Sequence, residues 1–269
     1  KILNIVINSL YSDRDIFLRE LLSNASDAIQ KRRFLGQTSP DILNTDDDEI
    51  EIIVDKKKKT IEIIDTGIGL NKDELAETLG TIAQSGTANF LKENDNEEDQ
   101  KSLEQTLIGQ FGVGFYSAFM VSKTVEVTSR KAGTKETSIW ESDGQSGYSI
   151  SESESEYPVG TSIKLYLKKD AKNYSDSSEI QTLIKKYSDH IQVPVKIKET
   201  DGESQQVNSA QALWTKQSQD ITADEYKEFY NSNFSTFDDP FITLHNRSEG
   251  TLEFTNLLFV PTQAPFDLF

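Results

Sequence analysis

The sequence predicts an α+β protein, because helical and strand periodicities occupy separate stretches of the chain. Apolar residues recur at helical spacing on one side of residues 15–34. Two β-rich runs, Ile50–Val54 and Thr60–Ile64, flank an aspartate and four lysines, which is typical of a hairpin. Beyond residue 125 apolar and polar residues alternate, which indicates strands with one half-buried face.

The predicted elements follow one another along the chain. Helices are expected near Trp214 and Tyr226 and at residues 1–10, 15–34, 71–79, 117–121 and 179–191. The strands after the hairpin comprise an antiparallel meander and two later runs, at residues 125–127, 138–140, 148–150, 161–167, 193–197 and 252–260. Residues 93–104 are expected to form a charged surface loop, and residues 199–209 to mark a domain boundary.

The composition excludes several kinds of site and partner. A net charge of −17 argues against a nucleic acid or an anionic membrane as the main partner. Cysteine is absent and the two histidines, His190 and His245, are far apart, which argues against disulfides and against thiolate or histidine metal sites. No apolar run approaches the ~20 residues that span a membrane. Both ends fall inside patterned stretches, so we expect the chain to be part of a longer protein.

A glycine-rich turn, Gly109–Tyr116, runs directly into the apolar stretch Ser117–Val121. Its three glycines allow backbone N–H groups to approach a ligand closely, and the N-terminus of a following helix favours an anion. The same pattern also suits a tight turn that packs a helix onto a sheet. The stretch alone does not distinguish these two interpretations.

The helix at residues 15–34 carries Glu20, Asn24, Asp27 and Ala28 on one face. The amide oxygen of Asn24 is a suitable ligand for Mg²⁺ beside phosphates, and Glu20 could polarise a water for attack on a terminal phosphate. Ala28 keeps this face thin, as a ligand that lies along the helix requires. Without such a ligand, the four residues are an ordinary solvated stripe.

Asp65 ends a strand just before Gly67 and Gly69. Its carboxylate could accept a hydrogen bond from an exocyclic amine such as that of adenine, with the base lying close to the glycine backbone. Thr161, which follows a glycine on a later strand, could add a hydroxyl to that corner through water. An aspartate here can also simply start a turn, and a strand threonine can reflect β propensity alone.

Familiar phosphate and nucleophile motifs are missing. There is no G-x-x-x-x-G-K-[ST], and the spacing G-x-x-G-x-G differs from the dinucleotide and kinase pattern. No G-x-S-x-G is present either. The helix face, the Asp65 turn and the glycine-rich segments therefore need a different common explanation.

These blocks, in this order, resemble the ATP-binding fold shared by gyrase, histidine kinases, mismatch-repair ATPases and heat-shock protein 90. The closest resemblance is to the heat-shock protein 90 family, carried by Phe17–Ala28, Leu79–Thr87 and Leu107–Phe119. The stretches Ala212–Trp214 and Phe259–Phe269 are similar to the start of that family's middle domain.

The resemblance implies a two-layer sandwich: a curved, mostly antiparallel sheet with helices on one face and the nucleotide between sheet and helices. It also implies three parts, an N-terminal ATP-binding domain at 1–198, a short linker at 199–211 and a truncated middle domain at 212–269. A long charged linker is missing between about 199 and 211, which favours a bacterial or organellar member of the family.

The resemblance assigns roles to individual residues. Glu20 is expected to be the catalytic glutamate, Asn24 the magnesium ligand, and Asp65 with Thr161 the adenine-recognising pair. Residues 80–114 are expected to form a mobile lid. The remaining nucleotide contacts are expected from both sides of the pocket, at Asp27, Ala28, Gly69, Leu70, Thr78, Leu79, Ser85, Gly86, Gln110, Gly112, Val113, Gly114 and Phe115. Leu70, Thr78 and Gln84 depart from residues common in the family, which puts the lid contacts of Thr78 and Gln84 in question.

The implied function is that of an ATPase: ATP binding and slow, Mg²⁺-dependent hydrolysis, with lid closure driving the conformational cycle of a homodimeric chaperone. Its expected partners are client proteins and co-chaperones, with no nucleic acid or membrane. The expected location is the bacterial cytoplasm, or an organelle lumen or matrix in a eukaryote. The middle-domain arginine that contacts the γ-phosphate in the family is expected beyond Phe269, so this stretch alone should hydrolyse ATP poorly.

Two other interpretations remain open. The chain could be another enzyme of the same fold, although no acceptor histidine precedes Glu20, as a histidine kinase requires, and a type II topoisomerase should be more basic. It could also be a non-hydrolysing nucleotide sensor or holdase, in which Glu20 is only structural.

Overall fold

A mixed eight-stranded sheet forms the frame of the protein in a computed structural model, which describes residues 13–80, 114–210, 212–234, 238–248 and 254–263. Its strands lie in the order β5-β4-β3-β6-β2-β1-β7-β8. Among the described strands only β1 and β7 pair in parallel, so the sheet is mostly antiparallel, as predicted. The strands are β1 Ile50–Asp55, β2 Thr60–Asp65, β3 Ser122–Arg130, β4 Thr137–Ser142, β5 Tyr148–Glu152, β6 Gly160–Leu167, β7 Val195–Glu199 and β8 Gln205–Gln206.

The predicted meander is wrong in one respect, the position of β6. This strand does not follow β5 at the edge but returns between β3 and β2. The difference has a physical reason in the burial of the two strands. β5 is largely exposed along its length and suits an edge, whereas β6 is buried at most of its positions and suits the interior of the sheet.

The long helix α1, Ile16–Gly36, packs across β1 and β2 and supplies much of the core. It buries an apolar side that includes Phe17, Leu21 and Ile29. The other helices are α2 Lys72–Gly80, α3 Ala118–Val121, α4 Ser177–Tyr187 and α5 Ala223–Phe234. On the opposite face of the sheet, charged side chains form cross-strand ion pairs such as Glu62 with Lys164 at 3.1 Å. This arrangement confirms the predicted α+β class with helices on one face.

The last part of the described chain forms a separate two-stranded sheet. Strand β9, Pro240–Ser248, pairs antiparallel with β10, Phe254–Pro261. The sequence predicted β10 but missed β9. Neither strand buries a face, but β10 holds the apolar run Leu257–Val260, whereas the second half of β9, His245–Ser248, is entirely polar, so no β-rich run marks it.

Several sequence-based expectations fall outside the described residues, namely the helix at 1–10, the charged loop at 93–104 and most of the glycine-rich segments. Helix α4 ends at Tyr187, earlier than predicted, and begins where the Asp176 side chain accepts a hydrogen bond from the Ser178 N–H. No helix in the described ranges is both long enough and apolar enough to cross a membrane.

Asn208 joins the segment after β8 to the sheet. It is buried, its Oδ1 accepts a hydrogen bond from the Val195 N–H at 2.8 Å, and its Nδ2 donates to Ile191 O and Val193 O, both at 3.0 Å. One side chain therefore satisfies three backbone groups around the start of β7. The predicted linker contributes this residue and the short strand β8.

We expect Asn208→Ala to lower the free energy of unfolding by roughly 2–4 kcal/mol, because buried backbone groups lose their partners. Urea denaturation measures the change. The matched control is Gln205→Ala, three residues earlier and exposed, which should change stability by less than ~0.5 kcal/mol. Equal effects of the two substitutions would contradict the role of Asn208.

Candidate functional site

One face of α1 runs between two groups of predicted site residues. Glu20 and Ala28, eight positions apart on this face, are separated by about 12 Å along the helix axis. Between them Asn24 is half-buried and Asp27 is buried. The helix therefore holds the first group near its N-terminal end and the second about two turns later.

At the first end, Glu20 lies against the backbone of Gly114. One carboxylate oxygen of Glu20 accepts a hydrogen bond from Arg19 Nη2 at 2.7 Å. The other oxygen, Oε2, is so close to Gly114 that a β-carbon at that position would collide with it. A larger residue at this position would therefore have to displace the Glu20 carboxylate.

The helix predicted at 117–121 is one residue shorter in the structure. Residues Gly114–Ser117 form a 3-10 turn, and α3 spans only Ala118–Val121. A helix of four residues has a small dipole, so the predicted helix-dipole contribution to anion binding is weak here. The backbone of the turn itself is what lies next to Glu20.

The turn is tied to the end of α2. The Tyr116 hydroxyl donates a hydrogen bond to Leu79 O at 3.1 Å, and both residues are buried. Thr78, the neighbouring predicted residue, is half-buried. The Phe115 ring packs edge-on against Trp140, with 5.5 Å between ring centroids, so the Phe115 side chain belongs to the core.

At the second end, Asp65 closes β2 next to Ala28. Its Oδ1 accepts a hydrogen bond from the Gly67 N–H at 2.9 Å. A β-carbon at Gly67 would lie 2.6 Å from the Ala28 β-carbon, and the Ile68 N–H donates to Ala28 O at 3.0 Å. The strand end and the helix are therefore in direct backbone contact.

The Asp65 carboxyl is 6% exposed, and burial raises its pKa from 3.8 to about 7. Hydrogen bonds from the N–H groups of Gly67 and Thr161, and the charge of Arg32, act in the opposite direction but do not offset burial. The site thus holds a carboxyl group whose ionised form is costly without a ligand.

Thr161 lies directly opposite Asp65 in the pairing of β6 with β2. Its hydroxyl is 2.9 Å from the hydroxyl of Ser129, which is fully buried on β3. Gly69, at φ +68°, turns the chain so that the Leu70 N–H donates to Ser129 Oγ at 2.8 Å. The structure therefore brings Asp65, Leu70 and Thr161 together, and sequence reasoning missed Ser129 between them.

Two cationic side chains on α1 were also missed. Arg32 is buried and donates hydrogen bonds to Ile42 O at 2.6 Å and Thr66 O at 2.7 Å. Burial lowers the pKa of Lys31 to about 8, although the charges of Asp27 and Glu74 raise it. Lys31 and Arg32 follow Asp27 and Ala28 by four positions, so the helical-face rule could have found them.

The remaining predicted residues, Ser85, Gly86, Gln110, Gly112 and Val113, lie outside the described part of the chain. Their proposed contacts stay predictions. Among the described residues, no group of three or more His, Cys, Asp or Glu side chains is arranged to hold a metal ion.

Comparison with known proteins gives two family matches. The model described as "Histidine kinase-, DNA gyrase B-, and HSP90-like ATPase" matches residues 15–173, and the model described as "Hsp90 protein" matches residues 195–269. The chain is 51% identical to the "Chaperone protein HtpG" of Rickettsia rickettsii (strain Sheila Smith) and 52% identical to that of Rickettsia canadensis (strain McKiel), each over 271 residues. Both alignments cover 100% of this chain but 43% of the relative, so the chain spans less than half of their length.

Replacing Asp65 with Asn should raise the free energy of unfolding of the nucleotide-free chain at pH 8. The Asp65 pKa is higher in the folded state than in the unfolded state, so Asp65 reduces stability as the pH rises from about 4 through 7. The asparagine cannot ionise, and the gain should be on the order of 1–4 kcal/mol at pH 8 and should shrink towards pH 4. Urea denaturation at several pH values measures it.

The matched control is Asp55→Asn at the end of β1. Hydrogen bonds from the backbone N–H of Lys58, followed in effect by that of Lys57, lower the pKa of Asp55, so this substitution should reduce stability at pH 8. If Asp65→Asn also reduced stability at pH 8, the burial of an ionised carboxylate would not be the dominant effect.

Proposed function

The chain belongs to the Hsp90 proteins within the histidine kinase-, DNA gyrase B- and HSP90-like ATPases, and from this premise we propose that it is the ATP-driven part of a molecular chaperone. Residues 15–173 are an ATPase domain of that family. The match of residues 195–269 to Hsp90 favours a chaperone over the kinases and topoisomerases that share the ATPase fold.

The observation that supports a specific ligand pose is the placement of two unlike groups along α1. The Asp65 corner meets the helix at Ala28, and the Gly114 turn meets it at Glu20. A carboxylate beside a strand end suits the amine of adenine, whereas a glycine turn with closely approaching backbone suits phosphates. ATP therefore lies along α1 with its base at Asp65 and its phosphates at Gly114.

Magnesium belongs between these ends, with Asn24 as its protein ligand. An amide oxygen, water and phosphate oxygens form the hard, oxygen-rich set that Mg²⁺ takes in phosphate sites, and the cation would neutralise charge on the phosphates. Asn24 lies one helical turn after Glu20 on the same face, which suits this position.

Glu20 is the proposed general base. It lies at the phosphate end, and its carboxylate is positioned by Arg19 on one side and by the Gly114 backbone on the other. In this role it accepts a proton from the water that attacks the terminal phosphate. The alternative, a nucleotide sensor that does not hydrolyse ATP, assigns Glu20 a structural role only.

The functions of a longer protein are proposals by analogy with the HtpG relatives. They comprise binding of client proteins and co-chaperones, homodimer formation and a cytoplasmic location if the source is bacterial. We assign residues 1–198 to the ATP-binding domain, 199–211 to a linker and 212–269 to the start of a middle domain. Lid closure by residues 80–114 stays a prediction, because residues 81–113 lie outside the described part.

Asp65→Asn is expected to weaken ATP binding tenfold or more, because a charge-assisted hydrogen bond contributes on the order of 1.5–3 kcal/mol. Isothermal titration calorimetry at pH 8, where Asp65 is mostly ionised, measures the affinity. Asp55→Asn introduces the same change away from the site and should bind ATP as the wild type does. Unchanged affinity in Asp65→Asn would exclude adenine recognition by this residue.

Glu20→Ala should bind ATP with nearly wild-type affinity but hydrolyse it about 100-fold more slowly or worse, as expected for loss of a general base. Single-turnover hydrolysis with the chain in excess over radiolabelled ATP measures this slow reaction. Glu136→Ala, which changes an exposed carboxylate in the loop before β4, should leave the rate unchanged. A normal rate in Glu20→Ala would favour the sensor interpretation.

A further inference from the structure

Ser129 is the buried centre of a small hydrogen-bonded group behind the Asp65 corner. Its side-chain oxygen accepts from the Leu70 N–H at 2.8 Å, lies 3.0 Å from Gly160 O and lies 2.9 Å from the Thr161 hydroxyl. Ser129 is fully buried, so water does not compete for these contacts. It does not line the ligand face of α1, and no role in ligand binding follows from its position alone.

The number of protons decides how these contacts are arranged. A serine hydroxyl has one proton to donate and two lone pairs that accept. Gly160 O can only accept, so this contact is a hydrogen bond only if Ser129 donates to it. Ser129 then accepts from Leu70 and from Thr161, and the proton of the Thr161 hydroxyl points at Ser129.

If Ser129 instead donated to Thr161, its contact with Gly160 O would contain no proton. Two oxygen atoms would then face each other at 3.0 Å in a site without water. Leaving a buried polar contact unsatisfied is unfavourable. The first arrangement satisfies all three contacts and is therefore the one that the fold stabilises.

We propose that Ser129 is a positioning residue that sets nucleotide specificity by holding the Thr161 hydroxyl as a pure acceptor towards the ligand. This inference rests on the proposed function, in which Asp65 accepts a hydrogen bond from the ligand base. Cross-strand partners share a face of the sheet, so the Thr161 oxygen and the Asp65 carboxylate line the same corner. Both then present lone pairs and neither presents a proton.

Such a corner discriminates between purines at a single position. The 6-amino group of adenine donates protons to it, whereas hypoxanthine carries an oxygen acceptor at that position. The oxygen of a 6-oxo purine would therefore face the acceptor oxygens of Asp65 and Thr161 with no proton between them. A site whose buried polar groups are left without partners discriminates strongly against such a ligand. Without the Ser129 hydroxyl, the Thr161 hydroxyl can rotate and donate its proton to the 6-oxygen of hypoxanthine.

The test compares the affinities of ADP and inosine diphosphate, measured by calorimetry on the 269-residue chain at pH 8. The wild type should prefer ADP, and Ser129→Ala should reduce this preference roughly fivefold to tenfold, as expected for the redirection of one hydrogen bond. A general loosening of the fold would weaken both nucleotides alike and leave their ratio unchanged. A wild-type ratio in Ser129→Ala overturns the inference.

A second variant tests whether Ser129 acts through Thr161. Thr161→Val removes the hydroxyl but keeps the branched shape, and Ser129 can still bond Gly160 and Leu70. Adding Ser129→Ala to Thr161→Val should then leave the ADP preference of Thr161→Val unchanged. If Ser129→Ala shifts the preference equally with threonine or valine at position 161, the inference is wrong.

Asp65→Asn separates failure of this inference from failure of the proposed function. If Asp65→Asn leaves ADP affinity intact, Asp65 does not accept from the base, and both proposals fail. If Asp65→Asn weakens ADP while Ser129→Ala retains the wild-type preference, only the role of Ser129 is overturned.

Discussion

The contact of Ala28 with Gly67 is the constraint on which the rest of the site depends. Here α1 and the end of β2 approach so closely that a β-carbon at Gly67 would lie 2.6 Å from the Ala28 β-carbon. The Ile68 N–H bonds the Ala28 carbonyl, which prevents the helix from sliding along the strand. Because β2 is hydrogen-bonded to a strand on each side, its end is held firmly in the sheet. This contact therefore sets the position of α1 relative to the site residues on the sheet. A β-carbon at Gly67 would also lie 2.7 Å from Asp65 Oδ1, so a larger residue there would disturb both the helix contact and the carboxylate.

The close approach also explains the unusual state of Asp65. The close packing of β2 on the helix removes most of the hydration of the carboxylate, and two backbone N–H groups and the nearby Arg32 compensate only in part. Arg32 is itself occupied by Ile42 O and Thr66 O, so its charge acts on Asp65 without a hydrogen bond to it among its described contacts. The protein thereby keeps a destabilising acceptor that a donor on the ligand can satisfy. If Asp65 binds the base as proposed, stability and binding are opposed at this residue.

Much of this arrangement was predictable from the sequence because it depends on local patterns. Helical spacing placed Glu20 and Ala28 on one face, and the four lysines marked the hairpin that delivers Asp65. Features set by distant contacts were not predictable. The position of β6 depends on which strand needs burial on both sides, and Ser129 matters only because β6 places Thr161 opposite both Ser129 and Asp65. The short helix α3 ends at Val121, where the sequence predicted, but Ser117 belongs to the preceding 3-10 turn, a boundary that the apolar pattern alone does not mark.

The two ends of the site are held in different ways. At the Asp65 end, backbone contacts and buried hydroxyls join neighbouring strands of one sheet, so geometry there follows from the sheet register. At the other end, Glu20 on α1 meets Gly114, which belongs to a separate turn anchored by the hydrogen bond of Tyr116 to Leu79 and by the packing of Phe115 on Trp140. No strand pairing connects Glu20 with that turn. The position of Asp65 and Thr161 is therefore fixed by strand pairing, whereas the position of Glu20, the proposed general base, relative to the Gly114 turn depends on side-chain packing.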